Sequence, residues 1–189
     1  MVADSSQSTG LKWATASAGA LTLISATNVN GASAVNIDGC FTSTYTNYRI
    51  IYSGTTNTNS GGYDWVYLQY RTSGTTNSNG SYDGYVTRFN SASSTTQLYN
   101  YQNLTIGHEL NQAGNGMCNV LDVFSPQATE YTSVAVNGII GQITGGYNRA
   151  IQTHGYGFFK NTTSFDGIRI TSGAALMTGT VFVYGYQKS

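Results

Sequence analysis

Hydrophobic and polar residues alternate along much of this 189-residue chain with a period of two. In TNYRIIYSG (Thr46–Gly54) the apolar set is Tyr48, Ile50 and Tyr52. In YDWVYLQYR (Tyr63–Arg71), Val66, Leu68 and Tyr70 share one face, and Trp65, Tyr67 and Gln69 the other. Successive side chains of a strand point to opposite faces, so this period predicts β-strands. MCNVLDVF (Met117–Phe124) alternates into Ser125-Pro126, where the only proline ends the strand. YTSVAVNGIIGQI (Tyr131–Ile143) alternates through Val134, Val136 and Ile140, and Gly145-Gly146 turns it into NRAIQTHGYGFF. GIRITSG and TGTVFVYGY close the chain. LTIGHEL (Leu104–Leu110) is ambiguous between a strand and one helical turn, because Gly107 interrupts it. Roughly ten strands with turn clusters between them imply an all-β fold, an antiparallel, jelly-roll-like β-sandwich. A closed β-barrel is the alternative, since periodicity does not separate the two.

Three stretches carry nothing apolar to bury: TTNTNSGG (Thr55–Gly62), TSGTTNSNGS (Thr72–Ser81) and NSASSTT (Asn90–Thr96). They read as solvated loops, the first two as tips of long hairpins. The N-terminal run ADSSQSTGLKW is too polar for a strand or helix of a packed core. It leads through the small-residue bridge ATASAGA to the first apolar run, Leu21-Thr22-Leu23-Ile24. We therefore place a linker or arm at residues 1–19 and one domain at 20–189, a length sufficient for one well-buried core.

Composition narrows the function. Charged residues are only 8% of the chain and the formal net charge is +0. Ser, Thr, Asn and Gly together approach half of it, so solubility rests on hydroxyls and amides. There is no run of Lys and Arg to displace phosphate counterions, which argues against nucleic acid as a partner. No apolar stretch approaches the roughly 20 residues of a membrane-spanning helix, and the N-terminus lacks the basic-then-apolar pattern of a signal peptide. Membrane insertion is therefore not expected. Cys40 and Cys118 lie outside any metal-ligand spacing and read as two buried thiols on strands, with a disulfide as the alternative.

Residues for catalysis are sparse. His108 and His154 sit in no ligand pair, and Glu109, next to His108, would point to the opposite face of a strand. His154 reads as a strand-surface or subunit-contact residue. The carboxylates Asp4, Asp38, Asp64, Asp83, Asp122, Asp166, Glu109 and Glu130 are isolated among turn residues. Only a pair such as Asp64 with Asp83, meeting across strands, could supply a glycosidase dyad. Nucleophile-elbow, phosphate-loop, dinucleotide and calcium-loop motifs are missing, so no catalytic residue, metal or cofactor is expected. The positive signal is aromatic: 13% of residues, 15 of them Tyr. Tyr63 in YDWVY, Tyr82, Asp83 and Tyr85 in GSYDGY, and Tyr99 and Tyr101 in LYNYQN could present rings beside amides and carboxylates. Such rings bury much area at small entropic cost. They also fill cores and subunit interfaces, so both readings stay open.

The two ends of the chain carry a resemblance. ADSSQSTGLKWATASAG is similar, nearly word for word from Ala3 to Ala14, to a junction in bacteriophage tail-fibre and virion-fibre proteins, especially of marine and cyanobacterial phages. There a repetitive stalk gives way to a globular β domain. FDGIRITSGAALMTGTVFVYGY (Phe165–Tyr186) resembles the closing strands of the same domains, with the pattern G-I-R-I…G-T-V-x-V-Y-G. Between these ends the similarity is one of composition and strand rhythm. Met1-Val2 stands where those chains carry the end of the stalk, which implies a truncated chain or a short stand-alone fibre protein.

The resemblance implies a non-enzymatic virion protein, homotrimeric and assembled in the bacterial host cytoplasm, whose knob binds a host surface glycan or envelope protein. Its receptor contacts would include Tyr63, Tyr82, Asp83, Tyr85, Tyr99 and Tyr101. The arm would join other virion proteins, with Leu11 and Trp13 packing against the domain base or neighbouring subunits. A capsid or tail decoration protein without receptor binding is the alternative. A capsular depolymerase comes third, because such enzymes usually need a long β-helix and paired carboxylates.

Overall fold

The computed structural model describes residues 2–3, 11–12, 20–57, 65–89, 94–108, 115–144, 147–173 and 175–188. All of its regular structure is β. In chain order the strands are β1 (Val2–Ala3), β2 (Leu11–Lys12), β3 (Leu21–Ala32), β4 (Ala34–Ile37) and β5 (Asn47–Asn57). Then come β6 (Trp65–Thr72), β7 (Thr75–Thr76), β8 (Tyr82–Phe89), β9 (Ser94–Tyr101) and β10 (Leu104–His108). The last five are β11 (Asn115–Phe124), β12 (Thr132–Thr144), β13 (Tyr147–Phe159), β14 (Gly167–Ser172) and β15 (Leu176–Tyr186).

An eight-stranded sheet has the order β3-β15-β5-β11-β12-β13-β8-β9, and a five-stranded one the order β10-β6-β14-β4, with β7 paired to β6. Every pairing is antiparallel. The two sheets form a sandwich, the arrangement expected ahead of a closed barrel. Three of the fifteen described strands have only two residues, too short to show a period, which leaves twelve against the roughly ten expected. In the N-terminal run, β1 and β2 pair, among the described residues, only with each other, Val2 opposite Lys12 and Ala3 opposite Leu11.

The core lies between the sheets. Tyr48, Ile50 and Tyr52 of β5 are buried, as are Leu121 and Val123 of β11 and Val134, Val136 and Ile140 of β12. They face Val66, Leu68 and Tyr70 of β6 and Ile168 and Ile170 of β14. At one end the core is aromatic: Tyr70 stacks on Phe165 at 4.7 Å, and Phe159 meets Phe165 at 5.0 Å and Tyr82 at 4.8 Å.

Two local readings change. LTIGHEL contains the strand β10, whose register against β6 shifts between Thr105 and Gly107. The extra residue of this bulge, Ile106, is fully buried, and burial holds as a strand what local propensity leaves undecided. The stretches Thr55–Gly62 and Thr72–Ser81 are not tips of long hairpins: Thr55–Asn57 continue β5, residues 58–62 lie outside the described residues, and Thr75–Thr76 form β7. The first connects β5 in the large sheet to β6 in the small one. The second makes a tight turn into β7 and then crosses to β8 in the large sheet. Polar composition identifies a loop but carries no information about which sheet follows.

Candidate functional site

The strands of the large sheet send alternate residues outward, where no described layer covers them. Seven large apolar side chains are exposed among the described residues: Leu23, Phe89, Phe124, Tyr131, Ile139, Tyr156 and Leu176. All lie on strands of this sheet, except Tyr131, which immediately precedes β12. Scattered exposed apolar residues are ordinary, but gathering on one face marks an interaction surface.

Register orders this face into rows. One runs Tyr184–Arg49–Asp122–Ala135–Tyr156–Tyr85 across β15, β5, β11, β12, β13 and β8. A second runs Phe182–Ile51–Val120–Asn137–His154–Thr87 over the same strands. A third contains Ser53, Cys118, Ile139, Gln152 and Phe89. The face therefore grades from a tyrosine-rich end to a more aliphatic one.

At the tyrosine-rich end the rings pair. Tyr85 stacks on Tyr156 at 6.1 Å with 22° between planes, and Tyr131 on Phe158 at 6.2 Å and 7°. Stacked neighbours hold each other's orientation, so less freedom remains to be lost on binding.

Two ion pairs are described here. Arg49 donates from Nε to Asp122 Oδ1 and from Nη2 to Asp122 Oδ2, each at 2.8 Å. Tyr186 donates its hydroxyl to the same Oδ1 at 2.6 Å, and the Arg49 guanidinium lies 5.6 Å from the Tyr186 ring centroid. The Arg49 hydrogen bonds hold the Asp122 carboxyl below its ordinary value against the opposing effect of burial, and Tyr186 assists them. Burial, then the bond to Asp122, pushes the Tyr186 phenol up to about 12. Lys160 Nζ lies 2.8 Å from Asp83 Oδ2.

Shallow depressions open on and beside the face. One of about 320 Å³ is lined by Thr46, Asn47, Tyr186, Gln187 and Lys188. Two others flank Ile139: about 460 Å³ against Phe89, Ala150 and Gln152, and about 190 Å³ against Cys118, Val120 and Asn137.

The residues singled out from the sequence divide. Tyr85 and Asp83 lie on this face, half-buried. Tyr82 does not: it is 1% exposed. Its hydroxyl accepts from Tyr70 N at 2.7 Å and donates to Asn77 O at 2.8 Å, so as a receptor contact it is corrected to a core residue. Tyr99 and Tyr101 are on β9 opposite Gly84 and Tyr82, and their side chains lie outside the described residues. Tyr63, Asp64 and Trp13 also lie outside them, and Leu11 is described only through its backbone pairing with Ala3. His154 is exposed on the face, its Nδ1 2.7 Å from Asn137 Oδ1. The expectation of two buried thiols fails at Cys118, which β11 turns outward. Cys40 is buried, but in the loop after β4 instead of on a strand.

Sequence reasoning passed over Tyr131, Tyr156, Phe158, Tyr184 and the Arg49–Asp122 pair. For Tyr156 a signal existed. It sits between Gly155 and Gly157, whose positions on β13 share a face with buried Ile151 and Phe159, so its own parity is outward.

No protein-family model matches the chain, and no curated protein does. Among solved structures the chain is similar to the CBM2 module of the evolved Dit of Lactobacillus casei BL23 phage J-1. Sequence identity is 10%, with 82% of this chain and 70% of that chain covered, at a TM-score of 0.28. That score is too low to equate the two folds.

Proposed function

We propose that this chain is a non-enzymatic bacteriophage virion protein, a fibre knob that attaches to the host cell surface through the outer face of its large sheet. The observation that carries host binding is the gathering of exposed rings on that one face, beside the ion pairs Arg49–Asp122 and Lys160–Asp83. The phage assignment rests on the resemblance of Ala3–Ala14 and Phe165–Tyr186 to fibre junctions and closing strands. In this reading residues 1–19 join the knob to other virion proteins, and the working form is a homotrimer assembled in the host cytoplasm.

Low charge fits this role in a salty medium. At 1 M salt the screening length is about 3 Å, so charge steering contributes little and association leans on rings and hydrogen bonds.

The test is direct binding of purified protein to bacteria susceptible to the phage. Bound protein should slow phage adsorption, and the Tyr131→Ala/Tyr156→Ala variant should lose both effects. A fully folded protein that neither binds the cells nor slows adsorption would overturn the proposal in favour of a decoration role. Sedimentation of the full chain tests the trimer separately.

A further inference from the structure

The row Tyr184–Arg49–Asp122–Ala135–Tyr156–Tyr85 runs across the strands, not along one. Strands are about 4.8 Å apart, so the four steps from Tyr184 to Tyr156 span roughly 19 Å. Tyr184 stands at one end, its ring 6.4 Å from that of Phe182. Tyr156 stands at the other, 60% exposed and backed by Tyr85. Between them the side chains are the Arg49–Asp122 pair and Ala135, the smallest of the row. The depression lined by Thr46, Asn47, Tyr186, Gln187 and Lys188 opens beside the ion pair through Tyr186.

We infer that this transverse row is a binding site for a neutral, hydroxyl-rich polysaccharide; the inference rests on the host-binding reading above and names its ligand. A pyranose ring has an apolar C–H face that lies flat on an aromatic ring, and hydroxyls around its edge that both donate and accept. Tyr184 and Tyr156 supply rings at the two ends. The guanidinium–carboxylate pair between them supplies donors and acceptors held in a plane. Arg49 uses Nε and Nη2 on Asp122, and its Nη1 makes no hydrogen bond among the described residues. Side chains already fixed by a bidentate pair lose little further freedom when they engage a hydroxyl.

Charge selects the class of glycan. A uronate- or phosphate-bearing chain calls for an uncompensated cation. In the row itself Arg49 is matched by Asp122, and beside it Lys160 by Asp83; Lys188, at the rim of the depression, donates to the Ser43 carbonyl at 2.9 Å, so an anionic ligand lying along the row would meet two carboxylates for two cations already engaged. A neutral glycan meets no such repulsion.

The experiment takes cells that the protein binds, extracts their envelope polysaccharide and separates it by anion exchange into neutral flow-through and retained acidic fractions. Each fraction then competes with the cells for the full-length protein. The neutral fraction should compete and the acidic fraction should not. Competition should hold between low and high salt, since no net charge is neutralised. Tyr156→Ala and Tyr184→Ala should each weaken binding of the neutral fraction by about tenfold, the loss of one anchoring ring. Asn36→Ala, exposed on β4 of the small sheet, should leave it unchanged, and circular dichroism melts establish that each variant is folded. Competition by the acidic fraction alone, or neutral binding that survives both tyrosine substitutions, overturns the inference. If cells are bound but neither fraction competes, the site takes an envelope protein; the inference falls and host binding stands. If no cells are bound, both fall.

Discussion

Leu104 of β10 sits directly over Gly157 of β13, joining the small sheet to the large one. A Cβ at Gly157 would lie 2.3 Å from Leu104 Cδ1, and one at its cross-strand partner Gly84 would lie 2.4 Å from the same atom. The two glycines form a socket that a side chain on either strand would close. Gly157→Ala is therefore an overpacking substitution, expected to cost about 1–3 kcal/mol. Urea denaturation checks it. Leu104→Ala alone should cost about 2–5 kcal/mol by opening a cavity. The double variant should cost less than the sum, because the new methyl occupies space the leucine vacates.

The contact also shows which part of the fold alternation makes legible. Period-two patterning is local, so it places Tyr48, Ile50 and Tyr52, or Val134 and Val136, on inner faces without any knowledge of neighbours. Pairing is non-local, and GTTNTNSGG and GTTNSNG look alike although the strands flanking them change sheets in opposite directions. The candidate site suffers from the same limit. Cys118 and Val120 lie on the outer parity of β11 while Asn119 is fully buried on the inner one. A polar residue inside and apolar ones outside blur the period where the exposed face is sticky. Rows such as Arg49–Asp122–Ala135–Tyr156 exist only once four strands are in register, and no single segment contains them.

The cysteines give a second prediction. Cys40 is buried, and burial is the main cause that pushes its thiol up to about 12. Its thiolate is scarce and hard to reach, whereas Cys118 is exposed on β11. Native protein treated with a thiol-reactive disulfide reagent at pH 8 should show one fast-reacting thiol, and denatured protein two. Cys118→Ser should abolish the fast phase. Equal rates for both thiols in folded protein would contradict the placement of Cys40.

The Arg49–Asp122–Tyr186 cluster predicts losses of stability at both ends of the pH scale. The Asp122 carboxyl titrates below its ordinary value of about 3.9 in the folded protein. Its stabilisation is complete above that ordinary value and disappears as pH falls through the depressed one. Tyr186 has the opposite sign. Its phenol is raised to about 12, so its contribution is whole below the ordinary value of about 10 and is lost as pH climbs through about 12. Denaturant midpoints measured from pH 2 to 5 should rise with pH, and Asp122→Asn should flatten that slope. An unchanged slope would show that the ion pair does not couple to folding.

Tyr82 and Tyr85, three residues apart in GSYDGY, should separate stability from binding. The Tyr82 hydroxyl satisfies Tyr70 N and Asn77 O inside the protein. Tyr82→Phe leaves those two groups without their partner and should cost about 1–3 kcal/mol in urea denaturation. It touches nothing on the outer face, so attachment to host cells should stay at the unsubstituted level under conditions where the variant is folded. Tyr85 is half-buried on that face, in stacked contact with Tyr156. Tyr85→Ala gives up an aromatic pair worth about 0.5–1.5 kcal/mol of stability. It also frees the Tyr156 ring to move, and should lower cell attachment severalfold. The opposite outcome, attachment lost with Tyr82→Phe and kept with Tyr85→Ala, would place the binding surface on another part of the molecule.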